Sequence, residues 1–222
     1  MQDISIADKY LVPAGESAGE FRDRGSKFVA RLVPVRTEAD ALAIVAEQAA
    51  AHPKCNHHCY AYRLGETPDR WRANDDGEPS GTAGKPILGQ IDKFGLSDVV
   101  IVVSRYYGGT KLGTSGLINA YREGAREALA VVATTYRLLT TTVELRFGYE
   151  LMTPVMSALS SLGLEMTGQD FGAAAVVTLE LPRSEAAATV RALKAAVGGV
   201  YLEEVDEDFE VDGLTVSKGA GF

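Results

Sequence analysis

Two glycine-rich stretches carry most of the side chains that could bind or activate a ligand. DDGEPSGTAGKP, at 75–86, combines three carboxylates and a lysine with glycines, and RYYGGTKLGTSG, at 105–116, combines an arginine and a lysine with two tyrosines. Each stretch precedes a segment of helical periodicity, and the unpaired N–H groups and the dipole at a helix start attract anions. Each stretch could therefore bind a phosphate-bearing ligand, and at this point the alternative stays open that it is a turn whose glycines serve only the backbone torsions.

Neither stretch matches the common nucleotide-binding or hydrolase motifs. An ATPase phosphate loop needs G-x-x-x-x-G-K-[ST], but Pro79 and Pro86 occupy the positions of its first glycine and its hydroxyl. The second stretch lacks the G-x-G-x-x-G spacing of a dinucleotide site, and Ser115 lacks the full G-x-S-x-G elbow of serine hydrolases. An ATPase loop of this type is excluded, and the spacing argues against a dinucleotide site and a serine hydrolase.

The segment CNHHC, at 55–59, could bind a metal or supply acid–base chemistry. On a strand Cys55, His57 and Cys59 would share one face, but no second cluster offers a fourth ligand, so we expect no metal and no cofactor. His57 could instead exchange protons with an acidic side chain at 75–78, because histidine titrates near neutral pH. The two cysteines would be about 13 Å apart in an extended segment, too far for a disulfide.

Composition and charge indicate a globular, cytoplasmic protein. The 222 residues are 46% hydrophobic and suffice for two domains, with no apolar run of the ~18 residues that a membrane span needs and no secretory signal. Residues 1–136 hold 16 basic and 17 acidic side chains, whereas residues 137–222 hold 6 and 13. The net charge of −8 argues against non-specific wrapping of nucleic acid but permits a local basic groove.

The first 136 residues contain the elements that must position these side chains. Strands are predicted at 10–15, 26–35, 58–64 and 70–75, and the continuous β-branched run at 98–104 predicts a central strand covered on both faces. Helices are predicted at 37–52, from the first glycine stretch to Gly95, and at 117–132. The expected N-terminal caps are Thr37 with Asp40 three positions on, then Thr82, then Thr114 or Ser115.

From residue 137 the pattern restarts in the order βαββαβ, which is the ferredoxin-like plan. The first strand is expected at 140–151, the first helix to begin at Thr153 and Pro154, and the last strand at 200–211. This last strand contains most of the acidic run EEVDEDFEVD, and we expect it to be exposed or at a sheet edge, where charge discourages aggregation.

The motifs HHCYAY, DDGEPSGTAGKP and SDVVIVVSRYYGGTKLGTSGLINAY together resemble those of the YigZ/IMPACT family over most of the first 130 residues. The resemblance implies an α+β fold class, with a β-α domain at 1–136 similar to elongation factor G domain IV and to a small-subunit ribosomal protein. It implies a ferredoxin-like domain at 137–222 similar to elongation factor G domain V. The family pattern falls on His57, Asp75, Asp76, Gly77, Glu78, Gly81, Gly84, Lys85, Arg105, Tyr107, Gly108, Gly109, Leu112 and Gly113.

The resemblance also favours a translation-associated regulatory protein that binds RNA or a ribosomal surface. In this hypothesis Lys85 and Arg105 contact phosphate in a groove between the two glycine stretches, with His57 and Tyr107 on its floor. The remaining binding candidates are Asp75, Asp76, Glu78, Gly81, Gly84, Gly108, Gly109 and Lys111. The three carboxylates would repel phosphate unless they turn away, pair with Lys85 or hold a cation.

Two other classes of function stay open at the level of the sequence. One is an enzyme acting on a small phosphorylated or nucleotide substrate, with His57 or Glu78 as the general base. The other is a regulator that binds a protein partner and no ligand. No reaction is assigned to the family as a whole, and the accessory domain of its eukaryotic members does not resemble any part of this chain.

Overall fold

The computed structural model describes residues 8–67, 69–206 and 208–218. They form two compact units, one of Tyr10–Arg137 and the other of the described residues on either side of it, 8–9, 138–206 and 208–218. Both units combine helices with antiparallel sheets, so the predicted α+β class is confirmed.

The first unit is built on a five-stranded antiparallel sheet. Its strands are β2 (Ser17–Asp23), β3 (Ser26–Pro34), β4 (His57–Arg63), β5 (Trp71–Asn74) and β6 (Val99–Tyr106). Their order is β2-β3-β6-β4-β5. Two further strands, β1 (Lys9–Pro13) and β7 (Thr134–Leu138), pair with each other in a small separate sheet. The β-branched strand β6 is central and its residues from Val99 to Val103 are fully buried, as predicted.

Three helices cover this sheet: α1 (Glu38–Ala51), α2 (Gly84–Phe94) and α3 (Gly113–Val131). Helices α2 and α3 pack on one face in a core that includes Phe28, Ile101 and Tyr121, and α1 packs on the other face against Tyr60 and Val102. Alternate residues of each strand therefore belong to different cores, as the two-residue period of a strand requires.

Helix α1 begins with the predicted capping box. Thr37 Oγ1 accepts a hydrogen bond from the Asp40 N–H at 3.0 Å, and the Asp40 carboxylate accepts one from the Thr37 N–H at 3.1 Å. The caps predicted for the other two helices are wrong. Helix α2 begins at Gly84 without a cap from Thr82, whose hydroxyl donates to the Pro79 carbonyl at 2.6 Å.

Helix α3 begins at Gly113, so Thr114 and Ser115 lie inside its first turn and neither caps it. The prediction also missed β2, whose alternation of exposed and partly exposed residues gives little apolar signal. This strand pairs with β3 across a turn at Arg24 and Gly25, and it is an edge strand of the sheet.

The second unit has the predicted βαββαβ order: β8 (Thr140–Phe147), α4 (Met152–Ser161), β9 (Met166–Phe171), β10 (Ala175–Pro182), α5 (Ala186–Gly198) and β11 (Leu214–Lys218). Its strands form one antiparallel sheet in the order β11-β8-β10-β9. Strand β8 ends at Phe147 rather than 151, and α4 begins at Met152 rather than at the predicted Thr153 cap.

The strand predicted at 200–211 is wrong. The described residues there form a short 3-10 turn at Leu202–Glu204 and an irregular segment, and the last strand follows at Leu214–Lys218. Two cations of α5 hold this backbone: Arg191 donates to the carbonyls of Val205 at 2.6 Å and Leu202 at 2.8 Å, and Lys194 donates to Phe209 at 2.6 Å. These three carbonyls therefore accept from side chains of a helix where a sheet would supply backbone donors.

Candidate functional site

A cleft of about 550 Å³ lies where β4 and β6 meet the start of α3 in the first unit. Strand pairing places His57 of β4 directly opposite Arg105 of β6, and both line the cleft. Glu78 comes to the same cleft from the first glycine stretch, and Tyr107 and Lys111 come from the second. The two stretches therefore contribute to one surface, although 27 residues separate Glu78 from Arg105.

The cleft has an apolar and ion-paired floor and a cationic rim. The buried side chains of Glu78, Arg105 and Leu117 form the floor, and the exposed side chains of Lys54 and Lys111 lie at the rim. Three cations and one carboxylate thus line a space of this size. The net charge of these four side chains is positive, although the net charge of the whole chain is −8.

The floor is organised by a buried ion pair. Arg105 Nη1 donates to Glu78 Oε1 at 2.7 Å, and the two side chains are only 8% and 4% exposed. The Tyr121 hydroxyl donates to the same oxygen at 2.8 Å, and its burial raises the pKa of Tyr121, so the phenol remains a donor. This double donation compensates the Glu78 charge, which would otherwise be expensive to bury.

The Arg105 guanidinium keeps unused hydrogen-bonding capacity. Its Nε is buried without a partner among the described residues. Its Cζ lies 5.4 Å from the centroid of the Tyr107 ring and 5.7 Å from that of Phe28, so aromatic rings cover it from two directions. A buried donor without a partner is uncommon in folded proteins.

His57 is held in one tautomer by the first glycine stretch. Its Nδ1 lies 2.6 Å from the Asp76 carbonyl oxygen, which can only accept, so Nδ1 carries the proton and the neutral ring keeps its lone pair on Nε2. His58 turns to the other face of β4, where its Nδ1 lies 2.8 Å from Ser104 Oγ and burial lowers the pKa of His58. Of these two histidines, only His57 lines the cleft.

Asp75 occupies the start of α2. Its Oδ2 accepts from the Gly81 N–H at 2.8 Å, and its Oδ1 accepts from the N–H groups of Ala83 and Gly84 at 2.9 Å each. Burial by itself would raise the pKa of Asp75, but these three donors outweigh it and lower that pKa. The expectation that the Gly81 and Gly84 amides face an external anion is therefore wrong, because the protein's own carboxylate already binds them.

Comparison with known proteins identifies the family. The family model described as the Impact N-terminal domain matches residues 24–129. IMPACT family member YigZ of Escherichia coli (strain K12) is 33% identical over 182 residues, which cover 81% of this chain and 89% of that protein. The chain belongs to the IMPACT family. The resemblance seen in the sequence motifs is thereby confirmed.

Two solved structures are also similar to this IMPACT-family chain. A crystal structure described as that of a hypothetical protein has 33% sequence identity and a TM-score of 0.64, and the match covers 82% of this chain and 89% of that one. The structure of Yih1, described as a two-domain translational regulator, matches 54% of this chain and 48% of its own at 24% identity. Its TM-score of 0.34 is too low to support a structural argument.

The cleft lies within the part of the chain that matches the Impact N-terminal domain. Several residues of the family pattern nevertheless lie outside the cleft, and some of them contact the backbone instead. Asp76 accepts from the His58 N–H at 2.6 Å and so fastens the first glycine stretch to β4. Lys85 is exposed beside Gly81 and does not line the cleft, so its predicted place in the groove is wrong.

Gly84 and Gly108 permit close approach of two backbones. A Cβ on Gly84 would overlap the backbone of Asn74, and a Cβ on Gly108 would overlap that of Gly25 and Ser26. The Gly108 N–H is also taken, since it donates to Ser26 Oγ at 3.2 Å. Gly81, Gly84, Gly108 and Gly109 do not line the cleft, whereas Leu112 and Gly113 do.

Replacing Gly108 with alanine is expected to destabilise the first unit by roughly 2 kcal/mol or more, because the β2–β3 turn must move away from an added methyl group. Urea denaturation measures the change. Gly89→Ala is the matched control: the described residues leave open space around Gly89, and alanine in this helix is expected to stabilise by about 0.5–1 kcal/mol. Equal effects of the two substitutions would contradict the close approach.

Sequence reasoning missed several residues of the site. Tyr121 lies in the helix predicted at 117–132, and its hydrogen bond to Glu78 could not be foreseen from helical periodicity. Lys54 and Asn56 also line the cleft, and their position beside His57 in the chain was the only available signal.

The described residues contain no group of three or more His, Cys, Asp and Glu side chains able to hold a metal ion. Cys59 is fully buried, its Sγ donates to the Asp75 carbonyl at 3.0 Å, and burial raises the pKa of its thiol. The carboxylates of Asp75, Asp76 and Glu78 each accept hydrogen bonds from protein donors. Within the described ranges, no helix is both long and apolar enough to cross a bilayer.

Proposed function

We propose that this IMPACT-family chain is a translation-associated regulatory protein that binds RNA or a ribosomal surface through the cleft of its first unit. The observation that carries the proposal is the difference between two helix starts. The start of α2 is occupied by Asp75, whereas α3, with 19 residues, has neither a side-chain cap nor an acidic residue in its first turn and begins in the cleft. Such a helix start attracts phosphate oxygens.

The cations around this helix start support the same ligand class. Lys54 and Lys111 form no ion pair with any described residue, and both lie at the rim where a phosphate would enter. Affinity for nucleic acid comes largely from such cations, which release the counterions of the phosphates they neutralise. In this proposal the acidic residues at 137–222 orient or gate the bound RNA by repelling its backbone from the rest of the chain.

The double variant Lys54→Ala/Lys111→Ala is expected to bind structured RNA and ribosomes about tenfold or more weakly at physiological salt. The slope of log K against log salt is expected to fall in magnitude by about 1 to 2, because each phosphate contact contributes about 0.7 to 0.9. Fluorescence anisotropy over a salt series measures both quantities. Co-sedimentation with ribosomes provides the second readout.

Lys85→Ala is the matched control for this pair. It removes one exposed lysine of the other glycine stretch and is expected to leave RNA affinity unchanged, because Lys85 lies outside the cleft. Arg105 is not suitable as a test of binding, since its removal leaves a buried carboxylate unpaired. Unchanged affinity in the double variant, or a loss only in Lys85→Ala, would refute the proposed surface.

The tautomer of His57 favours a second candidate function. A histidine with Nδ1–H on a carbonyl and Nε2 as a base is arranged as a general base, and a cationic cleft suits a small phosphorylated or nucleotide substrate. A thermal-shift screen of nucleotides, sugar phosphates and divalent ions tests this candidate, since a ligand that binds only the folded state raises Tm. The absence of any stabilising compound would count against it.

We also propose that the chain has domains at 1–136 and 137–222, which differ from the two compact units in the placement of residues 8–9 and 137, and that these domains share the folds of elongation factor G domains IV and V. The βαββαβ order of the second unit supports the latter comparison. Superposition of each unit on those domains is the direct test. A cytoplasmic location follows from a role in translation, and cell fractionation checks it.

A further inference from the structure

We propose that the cleft binds the phosphorylated end of an RNA chain, with the terminal phosphate at the start of α3 and the terminal base on the ring of Tyr107. This inference rests on the proposed function and specifies which part of the RNA the cleft accepts. Three features support an end rather than the middle of a strand: the size of the cleft, its unpaired charge and its exposed aromatic ring.

The size of the cleft matches a small ligand better than a track for a long strand. Its volume of about 550 Å³ falls within the range of roughly 300–1,000 Å³ that small-molecule sites occupy. Surfaces that follow single-stranded nucleic acid instead accommodate about 4–16 nucleotides per domain. The buried Leu112 and Leu117 close the cleft from below, so a nucleotide can enter from the rim.

The charge of the cleft matches a terminal phosphate. Glu78 neutralises Arg105, and Lys54 and Lys111 remain without an ion pair in the described part of the chain. An internal phosphodiester carries one negative charge, whereas a terminal phosphate carries about −1.5 to −2 at neutral pH and has three acceptor oxygens. Two unpaired lysines and an uncapped helix start therefore suit the terminal group.

Arg105 supplies a second observation that points to a ligand at this helix start. The residue is 8% exposed and lines the cleft, and its side chain donates to the described residues only through Nη1. None of the described residues accepts a hydrogen bond from its Nη2, which is the nitrogen available to the cleft, whereas its unpartnered Nε is fully buried. A phosphate seated between α3 and β6 provides acceptors for a guanidinium in this position.

Tyr107 provides the platform for the base. Its side chain is 56% exposed, although a large aromatic ring at the end of a buried strand would usually be covered. One face of the ring is directed at the Arg105 guanidinium, whose Cζ lies 5.4 Å from the ring centroid. Stacking on an aromatic ring is tolerant of base identity, so we expect recognition of the phosphorylated end with little sequence preference.

Three RNAs of one sequence test the inference: one with a 5′-phosphate, one with a 5′-hydroxyl and one closed into a circle. A fourth RNA with a 3′-phosphate distinguishes the two possible ends, and inorganic phosphate serves as a competitor. We expect an RNA with a terminal phosphate to bind about tenfold more tightly than the hydroxyl and circular forms, because of its additional charge. Fluorescence anisotropy with the full chain measures all four affinities.

The role of the ring is tested by Tyr107→Leu against Tyr107→Phe. We expect leucine to weaken binding of the phosphorylated RNA about tenfold and phenylalanine to preserve it, because only the latter keeps a face for stacking. Trp71→Leu, which removes another exposed aromatic ring of the first unit, is the control and should have no effect. Equal losses in Tyr107→Phe and Tyr107→Leu, or no loss in either, would overturn the platform.

The outcomes separate this inference from the proposed function. Equal affinity for the linear and circular RNAs, with sensitivity to the Lys54→Ala/Lys111→Ala change, would overturn the terminal-phosphate inference and leave RNA binding intact. Failure of all four RNAs and of ribosomes to bind would overturn both.

Discussion

Replacing Arg105 with methionine is expected to lower the free energy of unfolding of the first unit by about 3–5 kcal/mol. The substitution leaves Glu78 without its cation in a site where the glutamate side chain is 4% exposed. Tyr121 alone would then donate to Glu78 Oε1, and one neutral donor does not compensate a buried carboxylate. Urea denaturation followed by circular dichroism measures the loss.

Two controls separate the cost of leaving a buried charge unpaired from the cost of losing an ion pair at the surface. Arg72→Met breaks the pair between Arg72 and Glu38, whose side chains are 50% and 52% exposed, and should cost less than about 1 kcal/mol. The double variant Arg105→Met/Glu78→Gln should recover part of the stability, because glutamine is neutral and can still accept from Tyr121. A single Arg105→Met variant as stable as Arg72→Met would contradict the buried-pair description.

Asp75→Ala is expected to lower the free energy of unfolding by about 2–4 kcal/mol, because three backbone N–H groups at the start of α2 lose their acceptor. The effect extends beyond the helix. The same loop carries Asp76, which is bound to β4, and Glu78, which forms the floor of the cleft. Hydrogen–deuterium exchange should show faster exchange at Gly81, Ala83 and Gly84.

The pH dependence of Asp75→Asn provides a second test. The pKa of Asp75 is lower in the folded state than in the unfolded state, so the charged carboxylate stabilises the fold at neutral pH. That contribution is present above the ordinary aspartate pKa and is lost as pH falls through the lower, folded value. The stability difference between the wild type and Asp75→Asn should therefore shrink on acidification.

Asp92→Asn is the control for this pH series. Asp92 pairs with Arg63 at the surface, and its side chain is 44% exposed. Its replacement should cost less than about 1 kcal/mol at neutral pH. A pH-independent difference for Asp75→Asn would mean that its carboxylate does not bind the three amides in solution.

Local sequence patterns were sufficient to predict the elements whose structure depends on residues close together in the chain. The β-branched run that forms β6 and the Thr37 capping box were both recognised, because each depends on neighbours within a few residues. The βαββαβ order of the second unit followed in the same way from alternating strand and helix periods. Strand β2 was missed because an edge strand with polar residues has no such pattern.

The segment at 200–211 shows where local patterns fail. Its valines and phenylalanine alternate with acidic residues as in an edge strand, yet Arg191 and Lys194 of α5 bind its carbonyl groups. The periodicity of this segment contains no information about cations on a different element. Tertiary hydrogen bonds overrode the strand propensity.

The sequence by itself determined the family and the central strand. It also showed that most of the side chains able to bind or activate a ligand lie in two glycine-rich stretches. Only the tertiary structure decided which helix start stays open, because Asp75 occupies one of them and no side chain caps the other. It also decided that Lys85 lies outside the cleft and that Lys54 lies within it. The physical reason is that periodicity reports burial along a chain, whereas hydrogen bonds and ion pairs depend on distances between residues that the fold brings together.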